Sequence, residues 1–450
     1  MEKGVSVTQL IQRAPGRVFQ VAIALFIVNM SIMGFVISKN PGTPFDEAAH
    51  LDYVVKMSNL QLPKVNELYG QEVLGIMACL DAGPAWAGLE DCGSAEYTPS
   101  LAPFEGQSSA TPFLPTYYAV TALPFKACSI SGFADTLTCG RYANSIWLAG
   151  ATVMGFLLLV LLGRPRNLFI PAIVSLSVNL MPAVLQQGVT VNTDAAVQFL
   201  AFLVPYLSLK IPRLRISLGS KYLLLWGLFS VAMSVKQTLI TVMVVSAWLF
   251  WVSLRDDERR VRTASIVSGI IVTVLATNFV AIKLQPFIRG EGGTDNMAQA
   301  IQTPINALPE ALLAAIVSGS IPFTQIGYAA LSNGILGSLA FIVSLIGWIT
   351  AARFRATVVV PNVSDTGKNS GIRDYSSYVV LVAMIAPLVL GLLTWVSTGV
   401  PATQPRYFLG TVSLFIILGF AAMKSNRERL IFSVPLLASL VATSAYVLAI

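Results

Sequence analysis

The feature that most constrains this chain is its set of long, predominantly apolar runs. Val18–Ser38, Trp147–Leu162, Ser265–Ile282, Leu331–Ala352, Val379–Val396 and Ile431–Ile450 each approach the roughly 20 residues that cross a hydrocarbon core. Only 11% of the residues are charged, 55% are hydrophobic and the mean hydropathy is +0.71. A soluble domain carries about 25% charged residues, so a surface this poor in charge cannot face water all round. The expectation is one all-α polytopic membrane domain over 1–450. Spans are expected at 18–38, 141–162, 168–187, 193–210, 222–235, 237–254, 263–283, 331–352, 376–397, 406–423 and 431–449, about 11 transmembrane helices in all. The first run follows Arg13 and Arg17 but has no clean small-x-small cleavage site, so it reads as an uncleaved span rather than a signal peptide.

Charge sets the expected orientation. The N-terminal segment and the loops 164–166, 210–221, 255–262, 353–373 and 424–429 hold 20 of the 29 Lys and Arg residues, while 15 of the 22 acids fall on the other side. The basic side is expected to be cytoplasmic. This also accounts for the net charge of +7 without nucleic acid, since no separate basic domain exists. The expected setting is a bacterial cytoplasmic membrane, with the N-terminus inside and membrane lipid as a partner.

Residues 112–130 are half apolar, but Pro115, Pro124 and Lys126 argue against a regular span, and counting them as one would reverse every later loop. They are expected to form a helix lying in the outer interface; residues 307–330 get the same reading. A large exported loop then covers 39–140, a second covers 284–330, and 353–375 is a flexible cytoplasmic connector. All four cysteines, Cys79, Cys92, Cys128 and Cys139, lie in the first exported loop. An even count confined to one exported loop reads as disulfides. Spacing favours Cys79–Cys92 with Cys128–Cys139 among three pairings, and no C-x-x-C favours a metal.

Three constellations could carry chemistry. The first is Thr43-Pro44-Phe45-Asp46-Glu47-Ala48-Ala49-His50, which contains the protein's single histidine. Thr43 and Pro44 suit a helix start, with Asp46 and Glu47 as first-turn acids. On a helix both acids also share a face with His50, an arrangement suited to general-base work or to a divalent cation held by Asp46, Glu47 and His50. The second is Asn192-Thr193-Asp194, either a helix cap or a used charge at the membrane boundary. The third is a set of cations at the exported ends of spans, Arg141, Lys236 and Arg406, which suit lipid headgroups or a bound phosphate. Lys236 interrupts an otherwise apolar stretch over 222–254. No phosphate loop or dinucleotide fingerprint occurs, and span centres are nearly free of ionisable residues, which disfavours ion-coupled transport.

Taken in order, these segments resemble the GT-C superfamily of membrane glycosyltransferases. They are most similar to a bacterial group of multi-spanning proteins with a Pro-x-Asp-Glu-x-x-His motif. Pro44–His50 resembles the acidic motif of the first exported loop. Pro112–Tyr118 is similar to a Pro-Pro-Leu-Tyr-Tyr juxtamembrane segment, with Thr116 a departure. Arg141, Val191–Ala195 and Ser234–Lys236 match an Arg, an Asn-x-Asp turn and a Ser-Lys turn. Gln404-Pro405-Arg406-Tyr407-Phe408 resembles Gln-Gly-Arg-Tyr-Phe, with Pro405 in place of Gly. The resemblance implies a GT-C-like fold and inverting transfer of a sugar from a polyprenyl-phosphate donor to an extracytoplasmic envelope glycan, lipid or protein. Asp46 would be the base, Glu47 its partner or alternate, and His50 and Asp194 orienting groups. Arg406, Lys236, Arg141, Tyr407 and Gln404 would meet the phosphate. No cofactor is certain; a divalent cation is the open case. The alternatives are a lipid or solute transporter and a non-catalytic envelope-assembly protein.

Overall fold

The computed structural model describes residues 15–39, 46–80, 86–163, 165, 167–253, 257–290 and 409–422. Among these the chain is helical, with one isolated antiparallel bridge between Leu68 and Gln107 and no strand. The helices are α1 (Pro15–Lys39), α2 (Glu47–Ser58), α3 (Gln71–Cys79), α4 (Thr116–Ser131), α5 (Thr136–Gly163), α6 (Phe169–Asn179), α7 (Pro182–Val189), α8 (Asp194–Lys210), α9 (Leu218–Val235), α10 (Ile240–Val252), α11 (Asp257–Arg289) and α12 (Leu409–Ala422). Five helical segments are long and apolar enough to cross a membrane: Gly16–Lys39, Thr136–Leu162, Asp194–Arg213, Leu218–Val235 and Thr263–Arg289. They coincide with the expected first, second, fourth, fifth and seventh spans. The spans at 331–352, 376–397 and 431–449, the loop 353–375 and the second exported loop beyond Gly290 lie outside the described residues.

Two expectations change in detail. The third span, expected as one helix over 168–187, is two. Pro182 has no amide hydrogen to donate, and Met181 before it takes an extended backbone (φ −56°, ψ 138°), so the helix stops at Asn179 and restarts at Pro182. The seventh span runs past 283 to Arg289. The 112–130 segment forms α4, 16 residues with Pro124 inside it, too short for the five-span set. It buries Tyr117, Tyr118, Thr121 and Phe125 while Val120, Leu123 and Ile130 stay exposed.

Helices α5 and α8 form the axis of the bundle. α1 and α4 flank α5, α10 and α12 pack on α8, and α9 pairs with α11. Between lipid-soluble helices close packing has to come from small residues and polar bonds, since apolar burial alone gives no preference for protein over lipid. Gly188 shows the first device: a Cβ there would lie 2.3 Å from Leu148 Cδ2. A buried polar chain shows the second. Asn29 Nδ2 donates to Thr152 Oγ1 (2.9 Å), and Ser175 Oγ to the Thr152 carbonyl (2.6 Å). Asn179 Nδ2 donates to the Ser175 carbonyl (2.8 Å), and Gln198 Nε2 to Asn179 Oδ1 (3.2 Å). This chain ties α1, α5, α6 and α8 together at depth.

Both disulfides form with the spacing-favoured pairing. Cys79–Cys92 (Cα–Cα 4.6 Å) closes the end of α3 onto the following loop, and Cys128–Cys139 (Cα–Cα 5.6 Å) joins α4 to the first turns of α5. Arg141 lies two residues beyond the second bridge, so this bridge helps set where the site begins.

Candidate functional site

The start of α2, the start of α5, the 190–193 turn, the Lys236 turn and the end of α11 meet at one end of the bundle. Sequence separation between partners reaches 226 residues. The convergence follows from alternating short connections, which return every second helix terminus to the same side.

Glu47 is the anchor. Its Oε1 accepts from Arg141 Nε (2.9 Å) and from the Val191 amide (2.8 Å), and its Oε2 from Arg141 Nη2 (2.8 Å). The two side chains are 0% and 4% exposed. A two-pronged guanidinium–carboxylate pair with a third donor is the arrangement in which a buried charge is tolerated. Close approach of α2, α5 and the 191 turn needs Gly140, where a Cβ would lie 2.7 Å from Leu51 Cδ1 and 3.0 Å from Val191 Cγ2. Both carboxylate oxygens of Glu47 thereby have partners.

Asp46 is the N-cap residue of α2, and its side chain makes no capping hydrogen bond. The helix starts later than the Thr43–Pro44 reading expects, and Thr43 and Pro44 themselves lie outside the described residues. Burial chiefly, and the charge of Asp46 to a lesser degree, raises the phenols of Tyr118 and Tyr69. His50 Nδ1 is 2.8 Å from Tyr118 Oη. Its ring stacks between Phe113 and Tyr118 at centroid distances of 6.0 and 5.9 Å, and Tyr118 stacks on Tyr53 at 3.8 Å. Burial pushes the Tyr118 phenol well above its ordinary range and Tyr53 up to about 12, so both are neutral hydrogen-bonding phenols at physiological pH.

Asp194 opens α8. Asn192 Oδ1 accepts from its backbone amide (2.8 Å), which satisfies the capping reading of Asn192-Thr193-Asp194. Its carboxylate also receives Lys236 Nζ at 2.5 Å, the two side chains 3% and 10% exposed. Asp194 thus lies in the first turn of its helix and holds an ion pair. Arg141 and Lys236, expected as phosphate-facing cations, each have a carboxylate against them. Gln404, Arg406 and Tyr407 lie outside the described residues.

Three contributors escaped the reading by motif. Asn144 lies one turn beyond Arg141 and is fully buried. It accepts from Tyr117 Oη (2.7 Å) and donates to the carbonyls of Gln187 (2.7 Å) and Thr190 (2.6 Å). Its signal was a lone amide three residues after an arginine on an otherwise apolar helix. Arg289 donates from Nε to the Pro63 carbonyl (2.8 Å), also bonds Phe113 and Gln285, and lies 5.4 Å from the Tyr53 ring. It clasps α11 to the first loop. Asp52 accepts from the Gly70 amide (2.8 Å) and pairs with Lys56 (2.9 Å), which also meets Glu67 (3.0 Å). Burial raises the Asp52 carboxyl above its ordinary value despite Lys56.

Among the described residues no three His, Cys, Asp or Glu side chains come together to hold a metal. Both Glu47 oxygens are already occupied by Arg141 and Val191, so Asp46, Glu47 and His50 do not fit a shared ion, and no step is routed through one.

Comparisons with protein-family models, with curated proteins and with solved structures gave no match. Any functional reading therefore stands on the residues themselves.

Proposed function

We propose that the chain is a membrane glycosyltransferase that moves a sugar from a polyprenyl-phosphate donor to an extracytoplasmic acceptor, with Asp46 as general base. The observation that supports it most is the meeting of the Asp46–His50 segment with the Arg141, Asp194 and Lys236 turns at one end of an apolar bundle. A lipid-linked donor presents its phosphate and sugar at that level while its tail stays among the helices. The acceptor hydroxyl gives its proton to Asp46 as its oxygen attacks the anomeric carbon. The bond to the phosphate oxygen breaks through an oxocarbenium-like transition state. The phosphate leaves as an anion, and the 404–407 segment supplies the charge it needs through Arg406, with Gln404 and Tyr407 as hydrogen-bonding partners. His50, held by Tyr118, orients the acceptor side. Arg141 has its charge balanced by Glu47 and holds the frame rather than the phosphate. The full reading places about eleven spans in a bacterial cytoplasmic membrane, with this end outside.

The test compares envelope glycans by mass spectrometry in cells carrying wild type, Asp46→Asn or Arg406→Ala. Loss of one sugar modification in both variants, with the protein still inserted at normal level, is the expected result. Unchanged glycans in both would end the enzyme reading in favour of a transporter or an assembly scaffold.

A further inference from the structure

The segments that carry the Asp194–Lys236 pair, the start of α8, the Lys236 turn and the start of α10, also carry buried oxygen atoms that have no hydrogen-bond partner. These are Thr193 Oγ1, Gln198 Oε1, Thr238 Oγ1 and Thr241 Oγ1, on side chains 1%, 2%, 7% and 1% exposed. The sequence and the packing place them together. Thr193 precedes Asp194, and Gln198 lies one turn further along the same face of α8. Thr238 and Thr241 follow Lys236 in the single turn Gln237–Leu239 and the first turn of α10, both of which pack on α8. Among the described residues, three other buried threonines bond locally. Thr121, Thr152 and Thr190 each donate to the carbonyl four residues back, the usual resolution in a membrane helix. Thr193 stands at an N-cap yet makes no capping bond. Gln198 is held through Nε2 by Asn179, so its Oε1 is fixed but unanswered. Buried polar atoms without partners cost stability, and four of them lie on the two short segments that meet at this ion pair.

We infer that the Asp194–Lys236 turn is a binding site for the hydroxyl groups of a carbohydrate, with Thr193, Gln198, Thr238 and Thr241 as the residues that read them. Charge decides against a phosphate here. The lysine is already balanced by Asp194, and the carboxylate would repel an anion. A neutral polyhydroxyl group suits the inventory instead: each sugar hydroxyl gives one hydrogen bond and accepts others. The site offers a carboxylate and an amide oxygen as acceptors, an ammonium as donor, and threonine hydroxyls that serve as either. This inference rests on the glycosyltransfer reading for its substrate class. It assigns Lys236 to the sugar rather than to the carrier phosphate.

The experiment uses the full chain in phosphatidylethanolamine–phosphatidylglycerol nanodiscs. It compares the affinity for farnesyl phosphate with that for a panel of farnesyl-phosphoryl hexoses and pentoses. At least one sugar should raise wild-type affinity by about tenfold, the effect of one well-placed hydrogen bond. Gln198→Leu and Thr241→Val should each reduce that gain to less than about threefold. Both should leave farnesyl phosphate affinity unchanged; Thr241→Val, which replaces an idle hydroxyl by a methyl, should leave the melting temperature unchanged or raised, whereas Gln198→Leu also loses the Nε2 bond to Asn179 and should lower it. Thr241→Ser should retain the gain. A wild type that binds farnesyl phosphate with no gain from any sugar sinks the hydroxyl site and leaves the carrier reading standing. A gain that survives both variants also overturns it. If no probe binds and the envelope glycans of Asp46→Asn are unchanged, the glycosyltransfer reading fails and takes this site with it.

Discussion

At the scale of single residues, the deciding property is whether a buried charge has a partner. Glu47 and Arg141 are both sealed from solvent and satisfy each other. Removing one leaves the other charged and unpaired, which costs roughly 3–5 kcal/mol. Glu47→Gln and Arg141→Met should therefore each lower the detergent melting temperature sharply, and the double variant should lose less than the sum of the two. Additive losses in a double-mutant cycle would show that the pair is not a unit. Asp52 supplies a pH dependence. Its carboxyl is held above the ordinary 3.8, chiefly by burial. A raised carboxyl contributes stability that is fully present below its unfolded value and is lost as pH rises through its folded value. The stability of wild type relative to Asp52→Asn should thus fall as pH is raised from the acid range toward neutrality. Melting curves across pH read this directly, and a flat or rising difference would contradict it.

At the scale of elements, the first loop is held by covalent and aromatic ties instead of by a sheet or a large core of its own. Cys128–Cys139 fixes α4 to the start of α5 two residues before Arg141, and α2 rests on α4 through the His50, Tyr53 and Tyr118 rings. Replacing both cysteines by serine should cost about 2–4 kcal/mol and loosen α4. The readout is faster proteolysis within 112–135, with cleavage inside α8 unchanged. Equal protection in both regions would mean that packing alone holds α4. This element was legible in the sequence as a helix too short and too Pro-rich to cross. The break in the third span was not read, although Pro182 was visible, because an apolar run looks continuous whether or not its hydrogen bonds are. The capping residue at 46 was misplaced for a related reason. Thr43 and Pro44 are good helix starters, but α2 begins at Glu47, which pairs with Arg141, 94 residues away.

At the scale of the molecule, the bundle returns alternate termini to one end, and the proposed orientation puts that end outside. Cysteines introduced one at a time at Glu96 and Arg215, both exposed, check it. An impermeant maleimide should label the Glu96→Cys thiol in intact cells and the Arg215→Cys thiol only after permeabilisation; the reverse pattern would invert the topology. The helical class, the rough positions of the five helices long enough to cross and the cysteine pairing were readable in one dimension. Each depends on local composition, spacing or bilayer thickness, which act on a segment without regard to its neighbours. Which carboxylate meets which cation was decided only in three dimensions. Glu47 and Asp46 are adjacent in the chain and chemically alike, yet one is sealed against Arg141 and the Val191 amide while the other stands at the N-cap of α2 with no side-chain capping bond. The same holds for the idle oxygens around Lys236 and for the amide of Asn144. Hydrogen-bond partners of buried groups are assigned by helix packing over separations of tens to hundreds of residues, and no local pattern encodes that assignment.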